Sequence, residues 1–200
     1  MKNHIPEKYA RLITEYCLES PSLNPLGMAR AIMKHEEMRM HGPEHHYLTA
    51  AVLLAAYCNE KNPGGDKGEI LQKALFRTGA IPPGTCGFYG VCGAVLAVGA
   101  AVSLILKATP FSKDELQVLN TITARCQQGM VRLKGPRCCK RATVLNVYLA
   151  ARAMNNLLET AFILEKPGEC EFCQANETCS LAECPFYPPG TKLPLLRPKG

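Results

Sequence analysis

Four cysteines fall within fifteen residues near the end of the chain, as Cys170-Glu-Phe-Cys173, then Cys179 and Cys184, a C-x2-C-x5-C-x4-C spacing. Gly168 precedes the run and Pro185 follows it. A segment this short encloses no hydrophobic core of its own. It holds a shape only if its thiols are cross-linked, by a metal centre or as a pair of disulfides. Whatever the rest of the chain becomes, this end is an irregular appendage organised by sulfur.

The other cysteines argue against disulfides. The total is eleven, an odd number, and Cys17, Cys58 and Cys126 sit inside apolar helical patterns. No secretory leader is visible, because Met1-Lys-Asn-His-Ile-Pro6 runs straight into a charged helix. A reducing cytoplasm fits, and there a dense cysteine run reads as metal-binding or catalytic.

The spacing bears on which metal. Zinc ribbons pair two C-x2-C knuckles across a longer loop, and here only the first pair is a knuckle. A compact run suits a cuboidal 4Fe-4S cluster, whose corners take ligands from several directions over a short span. The run also resembles the C-x2-C-x5-C-x3-C part of the auxiliary-cluster (SPASM-type) domains of radical enzymes, with one more residue before the last cysteine. That resemblance is confined to the ligands; it implies a cluster and no activity. Zinc is the alternative cofactor.

Upstream, the apolar residues recur with helical period almost throughout. Tyr9, Leu12, Ile13, Tyr16 and Cys17 mark a helix over Ile5–Leu18. Asn24-Pro25 is a cap followed by proline at the first helical position, opening a helix towards Met38. His46–Cys58 is strongly apolar. Asp66 with Glu69 forms a capping box for a helix through Arg77, and Ser112 with Glu115 forms another for a helix to about Gln128. Arg141–Leu164 is long and amphipathic. Val91–Leu106 carries no charge over sixteen residues, too few for a membrane span at ~1.5 Å per residue. Gly93, Ala97 and Ala101 give it a smooth face, so it reads as a central buried helix. No segment alternates like a strand. The expectation is an all-α bundle of about seven helices over residues 1–166, with a cysteine-rich segment and Pro-rich tail over 167–200.

Three loops carry chemistry. In Gly84-Thr-Cys86-Gly-Phe-Tyr-Gly-Val-Cys92-Gly-Ala94, glycines surround two thiols just before a helix start, where the helix dipole favours a thiolate. In Lys134-Gly-Pro-Arg137-Cys138-Cys139-Lys140-Arg141, two adjacent thiols are flanked by cations that lower a thiol pKa or hold an anion. This loop accounts for much of the +6 formal charge, since Arg132, Lys134, Arg137, Lys140 and Arg141 fall together without an acid. Lys192, Arg197 and Lys199 in the tail read as a solvated face. In His41-Gly-Pro-Glu44-His45-His46, His41 or Glu44 could move protons, and the ~100° between successive helical residues lets only one of His45 and His46 share a site with His41. If the three loops meet at one end of the bundle, Cys86, Cys92 and one of the vicinal pair supply three thiolates. On a 4Fe-4S cluster that leaves one iron open to a sulfide or thiol substrate.

Taken as a set, His41-Gly-Pro-Glu-His-His46, Cys86-Gly-Phe-Tyr-Gly-Val-Cys-Gly-Ala94 and Gly135-Pro-Arg-Cys-Cys-Lys-Arg141 resemble the marks of a cysteine-rich domain family of unknown function from anaerobic bacteria and archaea. The resemblance extends over most of residues 36–190. It implies an anaerobic setting, which favours iron–sulfur over zinc, and partners such as methyltransferase-like or radical-enzyme modules. It carries over no catalytic residue.

The resulting expectation is an iron–sulfur protein of sulfur transfer, desulfuration or redox chemistry. Cys170, Cys173, Cys179 and Cys184 hold the metal. Cys86, Cys92, Cys138, Cys139, His41 and Glu44 are the catalytic candidates, and Arg137, Lys140 and Arg141 bind a small anionic or sulfur-containing substrate. The rivals are a zinc-stabilised module binding nucleic acid or protein, and an accessory or metal-trafficking partner of a methyltransferase. Nucleic acid is disfavoured: the interleaved aromatics that single-strand binding uses are weak, with Phe88 and Tyr89 near these motifs, and the chain has no tryptophan. No membrane is expected.

Overall fold

The computed structural model of the protein describes residues 2–61 and 63–190. Among these the chain is all helical, with no strand. Eight α-helices follow in order: α1 Glu7–Glu19, α2 Pro25–Lys34, α3 Glu44–Lys61, α4 Lys67–Gly79, α5 Thr85–Phe88, α6 Gly93–Leu106, α7 Asp114–Val131 and α8 Cys139–Leu157. Seven answer to the expected helices. The eighth, α5, is a single turn inside the Gly/Cys loop, too short for periodicity to show. The Pro-rich tail beyond residue 190, with Lys192, Arg197 and Lys199, lies outside the described residues, as does Asn62.

Two of the expected caps form. Asn24 accepts a hydrogen bond from the Gly27 N–H at 2.8 Å, and Asp66 accepts from the Glu69 N–H at 2.8 Å. Ser112 does something else: its hydroxyl accepts from the Thr109 N–H at 3.0 Å, closing a turn, and α7 begins after Lys113 without a side-chain cap. The last long helix also ends early, at Leu157 and not Leu164. Asn155 turns the chain there, accepting from the Phe162 N–H and the Thr160 hydroxyl while donating to the Phe162 carbonyl. Glu159 takes up the reversal at φ 50°.

The centre of the bundle is α3 and not α6. Most of α3 is buried, from Tyr47 to Ala56 without a break, and α1, α2, α4, α6 and α8 pack around it. Such all-round burial marks a helix enclosed by its neighbours. In α6 the small face is the buried one, with Ala97 and Ala101 fully covered, while Leu96 is exposed. The glycine and alanines thus do what their spacing predicts, letting α6 approach α3 closely. No helix among the described residues is long and apolar enough to cross a membrane.

From Glu159 to Gly190 the chain is irregular apart from a 3-10 turn at Leu181–Glu183. It runs back along α2 and α8. Glu165 pairs with Arg30 and accepts from Asn24 Nδ2, and Glu171 pairs with Lys34 at 2.6 Å. The Cys170 N–H donates to the Phe186 carbonyl at 2.6 Å, closing the cysteine segment into a loop. That loop lies against the start of α8, where the vicinal cysteines are.

Candidate functional site

All eleven cysteines are unpaired. Four of them, Cys170, Cys173, Cys179 and Cys184, line one small hollow of about 40 Å³. A fifth joins them: Cys138, the N-cap residue of α8. Cys138 is near enough to Cys179 and Cys184 to feel their charge, and Cys170 to feel that of Cys138, Cys173 and Cys184. Several sulfurs already accept hydrogen bonds. The N–H groups of Phe172, Leu181 and Arg141 donate to Cys170, Cys179 and Cys138 at 3.4, 3.4 and 3.5 Å. Asn176 Nδ2 donates to Cys138 at 3.7 Å. Donors aimed at sulfur favour the thiolate over the thiol.

Two cations are buried against the same hollow. Lys140 and Arg141 both line it and are 4% and 7% exposed. Lys140 Nζ donates to the Met33 carbonyl at 2.5 Å and sits 4.1 Å over the Phe172 ring. Arg141 donates to the carbonyls of Lys134, Gly135 and Pro136 and to the Ser180 hydroxyl, while its Nε is buried without a partner. Among the described residues neither is ion-paired with a carboxylate. Buried charge without a counter-charge is costly. Of the three cations expected to hold a substrate, only Arg137 is exposed.

A larger cavity of about 530 Å³ lies on the other side of the α8 start. The three loops do meet there: Cys86, Cys92, Cys138, Cys139, His41 and Arg137 all line it. Cys92 caps α6, Cys139 is the first residue of α8, and Cys86 stands on α5. His45 and His46 both line it as well, so all three histidines share one cavity. The angular separation of His45 and His46 is real, but the cavity wraps around the N-terminus of α3 and receives both. Glu44 is absent from the lining; it is fully buried and held by Arg39 through Nε at 3.1 Å and a second nitrogen at 2.5 Å.

Gly93 sets how close α6 comes to His46. A Cβ there would stand 2.1 Å from His46 Nε2. Gly93→Ala is expected to push the imidazole off its place and to destabilise the protein by ~1–3 kcal/mol, measured by chemical denaturation.

Asn176 and His41 bridge the two cavities. His41 Nδ1 accepts from the Cys139 N–H at 3.4 Å, so the ring proton is on Nε2, which donates to Asn176 Oδ1 at 3.2 Å. Asn176 is buried and also accepts from the Thr178 N–H. With both nitrogens engaged, His41 fastens the cysteine loop to the bundle. Sequence reading missed Asn176, for which an Asx-turn signal was present in Asn176-Glu-Thr178. It marked Cys138 as a catalytic candidate but not as a fifth thiol of the small hollow, and it allowed only one of His45 and His46 to join His41.

The electrostatics correct one expectation. Helix N-termini and cations do act on the loop thiols, but burial outweighs them. Burial raises Cys92 and Cys138, and pushes Cys139 and Cys170 up to about 11. Left to themselves these groups stay protonated at neutral pH. A bound metal reverses that, because a coordinating thiol loses its proton outright. Cys17 and Cys126, pushed up to about 12 inside the core, are inert packing. Among the described residues no three His, Cys, Asp or Glu side chains are gathered at the distances of a single ion.

A family described as a family of unknown function, DUF5714, matches residues 13–187, and the chain belongs to it. No curated protein and no solved structure matches the chain.

Proposed function

We propose that this member of DUF5714 is an iron–sulfur protein, its cluster held in the small hollow by Cys170, Cys173, Cys179 and Cys184. One observation carries the reading: Lys140 and Arg141 are buried without a carboxylate against five thiols. Four thiolates on a divalent metal, or on a doubly charged 4Fe-4S core, make a dianion. Two buried cations beside it make the site neutral. Protonated thiols would leave Arg141 without a counter-charge and Lys140 with only the more distant Glu44 carboxylate.

The size of the hollow favours a cluster over zinc. A tetrahedral zinc draws four sulfurs to ~2.3 Å and leaves no room between them. A space of about 40 Å³ exceeds the ~10–15 Å³ that one water occupies. When bound, the cluster supplies electron-transfer or Lewis-acid capacity. The chain's own residues exclude water from it with Phe172 and Tyr187 and hold its charge with Lys140 and Arg141.

The large cavity is where a substrate would be handled. It is roomy, lined by thiols, and has Arg137 for an anionic or sulfur-bearing molecule. Sulfur transfer, desulfuration or thiol redox chemistry fits that lining. Eleven free thiols fit a reducing, anaerobic cytoplasm. Cys173→Ala is the test of the cluster. Anaerobically prepared variant is expected to lose the wild type's broad visible absorption and bound iron while keeping its helical circular dichroism. Iron and colour that survive the substitution would rule out the assigned ligands.

A further inference from the structure

The large cavity contains a buried lone pair with nothing to accept. His45 is 1% exposed, and its Nδ1 lies 3.3 Å from the Gly42 carbonyl. A carbonyl only accepts, so Nδ1 carries the proton and Nε2 presents its lone pair. That Nε2 is buried and has no partner. Leaving such an acceptor unsatisfied costs about 1–3 kcal/mol. Burial, above all, brings the His45 pKa down to about 3, so the ring stays neutral. A neutral imidazole fixed by Nδ1–H to a backbone carbonyl, with Nε2 bare, is the arrangement in which histidine binds transition metals.

Three thiols, Cys86, Cys92 and Cys139, line the same cavity. Cys92 and Cys139 interact electrostatically with each other, and Cys86 with Cys92. The backbone amides of Ala94 and Val95 favour the Cys92 thiolate and that of Gly42 the Cys139 thiolate, though burial outweighs them. Gly42 thus bears on both candidates, its carbonyl orienting His45 and its amide polarising Cys139.

We propose that the large cavity binds a transition-metal ion of its own, zinc or ferrous iron, through Cys92, Cys139 and His45 Nε2, leaving the remaining position open to the cavity. Two cysteines and one histidine with an open position is a catalytic donor set. On binding, the Cys92 and Cys139 protons leave to solvent, and two thiolates on a divalent ion give a neutral unit. Of the cations lining the cavity, Arg39 is already paired with Glu44, Arg141 is held by the carbonyls of residues 134–136, and Arg137 is exposed. The donors are not gathered to single-ion distances among the described residues, so binding draws them inward. Cys86, on the one-turn α5 between Gly84 and Gly90, both at positive φ, is the thiol beside the open position. The proposal deepens the reading of this cavity as the reaction site, and it uses none of the residues assigned to the C-terminal centre.

The test counts metal in anaerobically prepared wild type, His45→Gln, Cys92→Ser, Cys86→Ser and Cys173→Ala, with labile sulfide measured in each. His45→Gln and Cys92→Ser are each expected to lose about one ion per chain at unchanged sulfide, and Cys86→Ser to keep it. Cys173→Ala should lose the sulfide and still retain that ion. A cluster that proves absent from every sample overturns the C-terminal reading alone. Wild-type metal content in both His45→Gln and Cys92→Ser overturns this one, as does loss of the ion in Cys173→Ala. If those two variants do not fold by circular dichroism, cobalt(II) alone is added, after metal removal, to a variant carrying both Cys170→Ala and Cys173→Ala, in which the C-terminal centre is disabled. A thiolate-to-cobalt charge-transfer band that depends on pH supports the site, and its absence overturns it.

Discussion

Lys140→Met is expected to change stability with opposite sign in metal-loaded and metal-stripped protein. With the metal–thiolate dianion in place, Lys140 is half of its compensation. Removing it leaves buried negative charge facing Arg141 alone, a loss of about 3–5 kcal/mol by the usual cost of breaking a buried pair. The contacts of Nζ with the Met33 carbonyl and the Phe172 ring go with it. Without metal, burial favours the protonated form of Cys138 and Cys170. Lys140 is then an unpaired buried cation, and burial already lowers its pKa. Methionine, similar in length and apolar, relieves that penalty, so the variant equals or exceeds wild type. Anaerobic denaturant unfolding of both proteins, before and after chelation, reads the two signs. An equal loss in both states would mean that Lys140 serves packing alone.

The second large effect is on the cysteine loop itself. Residues 168–187 include one short 3-10 turn and bury little apolar surface beyond Cys173. Their attachment to the bundle rests on a few polar contacts, among them Lys34–Glu171, His41–Asn176 and Arg141–Ser180. The exposed Lys34–Glu171 pair contributes about 0–1 kcal/mol, and each hydrogen bond about 0.5–1.5 kcal/mol. On the proposed reading a bound metal is the one strong cross-link, since structural metal centres supply on the order of 10 kcal/mol to folding. Stripping it is expected to raise amide exchange over 168–187 by ~100-fold or more, equivalent to about 2.7 kcal/mol. The core of α3, which owes nothing to the loop, should keep its protection. Unchanged exchange in the loop after complete metal removal would show that the polar contacts suffice.

Much of the fold could be read from the chain because its signals are local. Asn24-Pro25 and Asp66 with Glu69 set helix starts, and they do so in the structure. The small face of Val91–Leu106 foretold close packing, though not which helix was central. That depends on how many neighbours α3 gathers, which no local pattern encodes. The early end of α8 was hidden for a similar reason: Asn155 reaches forward to Thr160 and Phe162, overriding an apolar period that runs on to Leu164.

The site was legible in part. Glycine and cysteine density marked the right loops, and they converge. The division of labour between the adjacent thiols was not visible. Cys138 precedes α8 in extended conformation while Cys139 begins the helix, so Cys138 borders both cavities and Cys139 only the large one. The intervening geometry is fixed by Arg141, whose guanidinium holds the carbonyls of residues 134–136. For that reason Lys140 and Arg141 resembled a surface grip for an anion, whereas they are buried beside the thiols. Charge counting along a sequence cannot distinguish a cation facing solvent from one facing sulfur.

The central claim is that the small hollow holds an iron–sulfur cluster ligated by the C-terminal cysteines. Its most direct test is iron, acid-labile sulfide and zinc measured on one anaerobic preparation of the wild type beside Cys173→Ala. The expected result is about four iron and four sulfide per chain, as a 4Fe-4S centre requires, all of the sulfide being lost in the variant. A wild type with zinc at that site and no labile sulfide, or with sulfide that persists in Cys173→Ala, would contradict it.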